Sequence, residues 1–148
     1  MLKSATIKTN SSPFVQNGTA YTYIDSSSTN LTFYNRDITS PSSPLGRTLA
    51  GVYKGADLSF MYNDETPSGK TSSSYGHTKG VIGATGNEGF WLIHSVPSFP
   101  PPPEQGYSYP PNGRVYGQSF LCLSLGMTVL QLFFYAFILF IFRFQQFE

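Results

Sequence analysis

His77-Thr78-Lys79-Gly80-Val81-Ile82-Gly83-Ala84-Thr85-Gly86-Asn87-Glu88-Gly89-Phe90-Trp91-Leu92-Ile93-His94-Ser95 is the stretch whose reading decides the fold. Two β-rich runs, His77–Thr85 and Glu88–Ser95, flank the pair Gly86-Asn87. Gly-Asn between such runs matches a two-residue hairpin loop with a primed turn. A loop of that length fixes the register. It sets Thr85 against Glu88, Val81 against Leu92 and Lys79 against His94. Side chains alternate along a strand, and directly opposed residues share a face. The register therefore gathers His77, Lys79 and His94 on one face and turns Thr78, Gly80 and Ile82 to the other. A slip of one residue would turn His94 away. A nucleophile or proton carrier beside a fixed cation on a rigid strand suits chemistry on a phosphate. Two plainer readings stand beside this one. An H-x-K triplet is short enough to arise by coincidence, and His94 also reads as a strand-end histidine bonded to a nearby carbonyl.

Outward from the hairpin, the chain continues to read as extended. Upstream, Tyr21–Ile24 and Leu31–Tyr34 are short β-rich runs, and Thr39–Pro44 is a loop by composition. Leu45–Tyr53 is compatible with a short helix. Asp57–Asn63 reads as a strand with Leu58, Phe60 and Tyr62 on one face. Asn63–Gly69 ends it as a turn, and Thr71–Tyr75 is a serine-rich approach to the hairpin. Downstream, Pro97 and the run Pro100–Pro103 must leave the sheet, because proline fixes φ and cannot donate. Val115–Leu123 is again compatible with a buried strand. The fold class is α/β, mixed and rich in sheet, in three stretches: a polar segment 1–17, a domain 18–125 and an apolar tail 126–148.

The tail differs in kind. Gly126–Phe142 carries no charge and is close to the shortest helix that spans a bilayer, with Arg143 at its end. It reads as a membrane anchor through residues 126–142 or as sequence foreign to the fold.

The 148 residues suffice for one domain with a core. Net charge is +1 and only 11% of residues are charged, so no basic stripe marks general polyanion binding. Any anion is gripped locally. The single cysteine, Cys122, cannot form an internal disulfide. Sequons at Asn10, Asn17 and Asn30 suit a secreted or lysosomal protein, although a Ser/Thr-rich chain also makes them by chance. Met1–Lys8 has no apolar core of a signal peptide. His77, His94, Cys122 and the scattered acids fall at no metal-binding spacing, so no cofactor or metal is expected. There is no G-x-S-x-G elbow, no G-K-[ST] or strand–helix context follows the glycine-rich run Gly80–Gly86, and the few acids, such as Asp57, Asp64 and Glu88, fall in turns or at strand ends and make a poor carboxylate pair. What survives is phosphoryl transfer by an imidazole, with lysine offsetting the charge on the phosphate oxygens.

Three blocks then give the chain a family resemblance. They are Gly76-His77-Thr78-Lys79-Gly80-Val81, Gly89-Phe90-Trp91-Leu92-Ile93-His94-Ser95-Val96-Pro97-Ser98-Phe99-Pro100-Pro101 and Tyr116-Gly117-Gln118-Ser119-Phe120-Leu121-Cys122-Leu123-Ser124. With Tyr21–Asp25, Pro44–Leu49 and Leu58–Asp64, they resemble the deoxyribonuclease II family over about residues 18 to 125. The resemblance implies an acid endonuclease of lysosomes or secretions that cuts double-stranded DNA without divalent metal and leaves 3′-phosphates. It implies a fold similar to the phospholipase D superfamily, in which two αβ halves each offer one H-x-K to a shared site. His77 and Lys79 match the catalytic pair of the first half, and His94 matches a histidine that recurs in the following block. The chain carries one H-x-K, so the resemblance implies half of a site. A homodimer would restore a second His77 across a two-fold axis. The rival reading is a non-catalytic fragment that binds DNA or a protein, tethered to a membrane or secreted.

Overall fold

The computed structural model of the chain describes residues 1–65 and 77–144, with 137–144 as backbone alone. The turn expected over Asn63–Gly69 lies beyond Glu65 outside the described residues, as does the approach over Thr71–Tyr75. Seven strands are described: β1 (Leu2–Lys3), β2 (Tyr21–Tyr23), β3 (Thr32–Tyr34), β4 (Leu58–Asn63), β5 (Lys79–Thr85), β6 (Glu88–His94) and β7 (Gln118–Gly126). The α-helices are α1 (Pro13–Gln16), α2 (Pro44–Tyr53), α3 (Asn112–Val115) and α4 (Met127–Phe144). The strands form one sheet in the order β3-β2-β1-β7-β6-β5-β4, each pair antiparallel. This is the mixed, sheet-rich α/β architecture that the sequence implies.

The central hairpin is β5–β6, and its register pairs Thr85 with Glu88 and Val81 with Leu92. Gly86 takes φ +60 in the loop, the value a primed turn demands and one that glycine adopts without strain. One end differs from the sequence reading. The ladder stops at Gly80–Ile93, and β5 begins at Lys79, so His77 lies ahead of the strand and not within it. The cause is β6's other neighbour. Past His94 the chain turns to β7, where Ser95 N–H donates to Ser119 O at 3.2 Å. On its other edge Lys79 is the last β5 residue paired with β4, opposite Asn63.

The core lies on the face that carries Val81, Leu92, Phe120 and Tyr21. Helix α2 covers it with Leu45, Leu49 and Val52, spaced four and three apart on one helical face. Pro44 starts α2, and the Ser43 hydroxyl caps it by accepting from Gly46 N–H at 3.0 Å. The proline-rich segment after β6 folds back over the same core through Val96, Phe99 and Tyr109.

The other face of the sheet meets the apolar tail. The stretch 126–142, which reads from the sequence as an anchor or as foreign to the fold, packs against this face in its first part. Gly126 ends β7, opposite Glu88, and α4 starts directly after it. Leu130 of α4 is fully buried, Phe133 packs on Trp91 at 5.6 Å and Phe134 on Phe60 at 5.7 Å. Among the described residues no helix is long and apolar enough to cross a membrane. Strand β7 also runs later than the expected Val115–Leu123, because Val115 closes α3 and pairing with β6 continues to Gly126.

Candidate active site

The site is built at the joint end of β4, β5 and β6. Asn63 ends β4 and is locked there by its side chain. Its Nδ2 donates to Phe99 O at 2.9 Å and Val96 O at 3.4 Å, and its Oδ1 accepts from Glu65 N–H at 2.8 Å. That clamp fixes Asp64, the next residue, over the start of β5. Asp64 Oδ1 accepts from Lys79 Nζ, and Asp64 Oδ2 lies 2.5 Å from His77 Nδ1. One carboxylate thus joins the two residues of the H-x-K triplet. Burial pushes the Asp64 carboxyl up, but the bonds from Lys79 and then His77 outweigh it and hold it below the ordinary carboxylate range.

The two basic partners differ in exposure. The Lys79 side chain is 4% exposed, whereas the His77 side chain is 87% exposed. An ammonium held in place beneath the surface and an imidazole open to solvent form an asymmetric pair. The ammonium can meet a phosphate's charge without moving, and the imidazole can reach an incoming phosphorus.

His94 sits behind them. It is buried, with its ring 5.4 Å from Phe99 and 6.3 Å from Phe120. Val96 N–H donates to His94 Nδ1 at 3.2 Å. A nitrogen that accepts carries no hydrogen, so the neutral ring is protonated on Nε2. That Nε2 is buried and has no hydrogen-bond partner among the described residues. Burial, with the nearby Lys79 charge adding to it, lowers the His94 pKa to about 4.

The structure therefore joins His77 and Lys79 through Asp64. It sets His94 beside Lys79 without a bond to either. The shared face arises differently from the sequence reading, since His77 precedes the strand and reaches Lys79 through a carboxylate. Asp64 is the residue that sequence reasoning passed over, as an acid at a strand end. The pointer to it is the pairing of Asn63 with Lys79, which puts the next residue beside the triplet. Among the described residues no three His, Cys, Asp or Glu side chains gather to hold a metal ion.

The chain is similar to known nucleases. The Deoxyribonuclease II family profile matches residues 2–140, beyond both ends of the 18–125 stretch that carries the resemblance in the sequence blocks. Deoxyribonuclease-2-beta of Rattus norvegicus is 43% identical over 114 residues, 73% of this chain and 32% of the relative. Deoxyribonuclease-2-alpha of Sus scrofa is 43% identical over 119 residues, 76% of this chain and 33% of the relative. Cell-death-related nuclease 7 of Caenorhabditis elegans is 42% identical over 111 residues, 73% and 29% of the two chains. The chain spans about a third of the length of these curated relatives.

Proposed function

Because the chain belongs to the deoxyribonuclease II family, we propose that it acts as a nuclease on DNA phosphodiester bonds, with His77, Lys79 and His94 as its working residues. The observation that carries this reading is the exposed His77 imidazole held to the buried Lys79 ammonium through Asp64. His77 attacks phosphorus. A P–N bond forms, the bond from phosphorus to the 5′-oxygen breaks, and that oxygen leaves with a proton from an acid. Water then cleaves the P–N bond, frees a 3′-phosphate and restores the imidazole. Lys79 offsets the charge on the phosphoryl oxygens, so the scheme uses no metal.

His94 serves as a neutral neighbour of Lys79. With a pKa of about 4, its ring stays uncharged in mildly acidic solution and backs Lys79 from within the core without adding a positive charge beside it. The acid for the leaving oxygen comes from elsewhere. A second copy in a homodimer supplies it through its own His77. A lysosomal or secreted setting fits this chemistry, and the sequon residues Asn17 and Asn30 are exposed.

The test is a plasmid incubated with the protein in chelator at about pH 5, within the range where histidines share protons. The wild type nicks, its products resist polymerase extension until a phosphatase removes the 3′-phosphate, and His77→Ala is inert. Sedimentation in the same buffer shows a dimer. Equal inertness of wild type and His77→Ala sinks the enzymatic reading. A second reading then applies, in which the chain holds DNA without cutting it. The single H-x-K favours it, and retained gel retardation of the plasmid identifies it.

A further inference from the structure

We propose that a cavity at the β2–β3 side of the sheet grips a backbone phosphate of DNA through Arg36 and Arg47, well away from the bond that is cut. This deepens the nuclease reading and rests on it for the identity of the polyanion. The cavity has a volume of about 320 Å³ and lies between the end of β3 and the start of α2. Arg36 follows β3, Arg47 stands in the first turn of α2, and Tyr34, Ser40 and Ser42 form part of the wall. Both guanidiniums act on one point. Burial raises the pKa of the Tyr21 phenol, and Arg36 and Arg47 each oppose that rise. Two cations thus converge from separate elements.

Their charge is not met from within. The cavity is lined by one acid, Asp37, whose Oδ1 already accepts from Thr39 N–H at 2.9 Å and from the Thr39 hydroxyl at 2.7 Å. Among the described residues neither arginine forms an ion pair. Arg47 Nη1 donates to Ser42 O at 2.5 Å, and Arg36 has no hydrogen bond to a described residue. A guanidinium carries five N–H donors in a fork that fits a phosphate, so most of these donors are left to a ligand. Arg47 also stands where the helix dipole disfavours a cation, and the first turn of α2 has no acid to offset it. A bound phosphate satisfies both arginines and the dipole together.

The place of the cavity makes the ligand a long one. Tyr21 pairs with Tyr34 and Lys3, and Lys3 pairs with Gln118 at the start of β7. That is the end of the sheet at which β6 stops at His94 and β5 starts at Lys79. Strands β2 and β5 lie four positions apart, which at about 4.8 Å each is roughly 20 Å. Duplex DNA advances about 3.4 Å per base pair, so the span is roughly six base pairs. A mononucleotide cannot reach both places, and a duplex laid across this end of the sheet can.

The test is binding of a fluorescent duplex of about 20 base pairs to the whole chain carrying His77→Ala, in chelator at about pH 5. Arg36→Gln and Arg47→Gln, each added to that parent, weaken binding about tenfold and lower the slope of log affinity against log salt by about one. Ser42→Asp keeps both arginines, sets a negative charge at the mouth and weakens binding as well. Melting temperatures equal to the parent's show that the fold is intact. Unchanged affinity and salt slope in Arg36→Gln and Ser42→Asp overturn the proposal and leave the nuclease reading, which rests on nicking, untouched. A wild type that fails to nick, but whose binding falls with the arginines, sinks the nuclease reading alone. Inorganic phosphate displaces the duplex no better than chloride at matched ionic strength. Displacement by phosphate that both arginine variants abolish would make this a site for free phosphate and overturn the DNA assignment. Where the chain cuts DNA, Arg36→Gln raises KM about tenfold with kcat within about twofold. A fall in kcat at unchanged KM would put Arg36 in the chemistry and overturn the binding role.

Discussion

His94 makes the fold sensitive to acid. Its folded pKa is lowered to about 4 by burial, against about 6.5 in the unfolded chain. Between those values the unfolded chain takes up a proton that the folded chain refuses, so stability is whole above about pH 6.5 and falls as pH drops toward about 4. The loss across that window is on the order of 3 kcal/mol. Urea unfolding of the wild type at stepped pH should trace this decline, and His94→Phe should flatten it. Asp64 adds a lower step of the same sign. Its depressed folded pKa gives stability that is present above about pH 4 and lost below it, as the carboxyl is protonated and releases Lys79 and His77. His94 is thus kept neutral in mild acid at a cost to the fold.

At the scale of elements, α2 depends on its first turn. The Ser43 hydroxyl accepts from Gly46 N–H at 3.0 Å and donates to Ile38 O at 2.8 Å, both inside the protein. Ser43→Ala removes the cap and one of two donors to the Ile38 carbonyl, which keeps the Tyr107 hydroxyl at 3.2 Å, and should cost about 1 kcal/mol in a chemical melt. Elements like this are legible in sequence because punctuation and period agree. Ser43-Pro44 precedes a run whose apolar residues fall four and three apart, and Gly86-Asn87 sits between two β-rich runs. Thus β4 and the β5–β6 register from Thr85–Glu88 through Val81–Leu92 are read from the sequence, which for α2 is compatible with a short helix over Leu45–Tyr53. Other elements carry no such signal. Strand β1 is two residues long and shows no alternation, and its pairing with β2 and β7 is set wholly by neighbours distant in sequence. The strand start at Lys79 rather than His77 depends on where β6 turns away to β7. The site was legible as to residue type, but its connection was not. His77, Lys79 and His94 stand out as chemistry-bearing residues, whereas Asp64 acquires its meaning only once β4 is laid beside β5.

For the molecule as a whole, α4 closes one face of the sheet. Leu130 is fully buried over Gly89, while Phe60, Tyr62, Ile82 and Trp91 line a cavity of about 400 Å³ with Phe133 and Phe134. Leu130→Ala should cost about 2–4 kcal/mol by thermal melting and increase binding of a hydrophobic dye, because it opens that cavity further. Beyond α4 the face stays bare, with Leu121 55% exposed and Leu123 38%.

The edge beneath those leucines is bare as well. Strand β7 pairs with β6 from Phe120 to Gly126, but β1 meets only its first residues, where Met1 N–H3⁺ donates to Phe120 O at 2.9 Å and Phe120 N–H returns to Met1 O at 2.9 Å. Among the described residues no strand pairs with Leu121–Gly126 on that side. Residues joined ahead of Met1 would run straight along this vacant ladder, which offers backbone donors and acceptors to any extended peptide. Recombinant production is therefore sensitive to the end that is tagged. An affinity tag ahead of Met1 enters the middle of the sheet, where its composition becomes part of the fold, and a β-prone tag there would template pairing between chains.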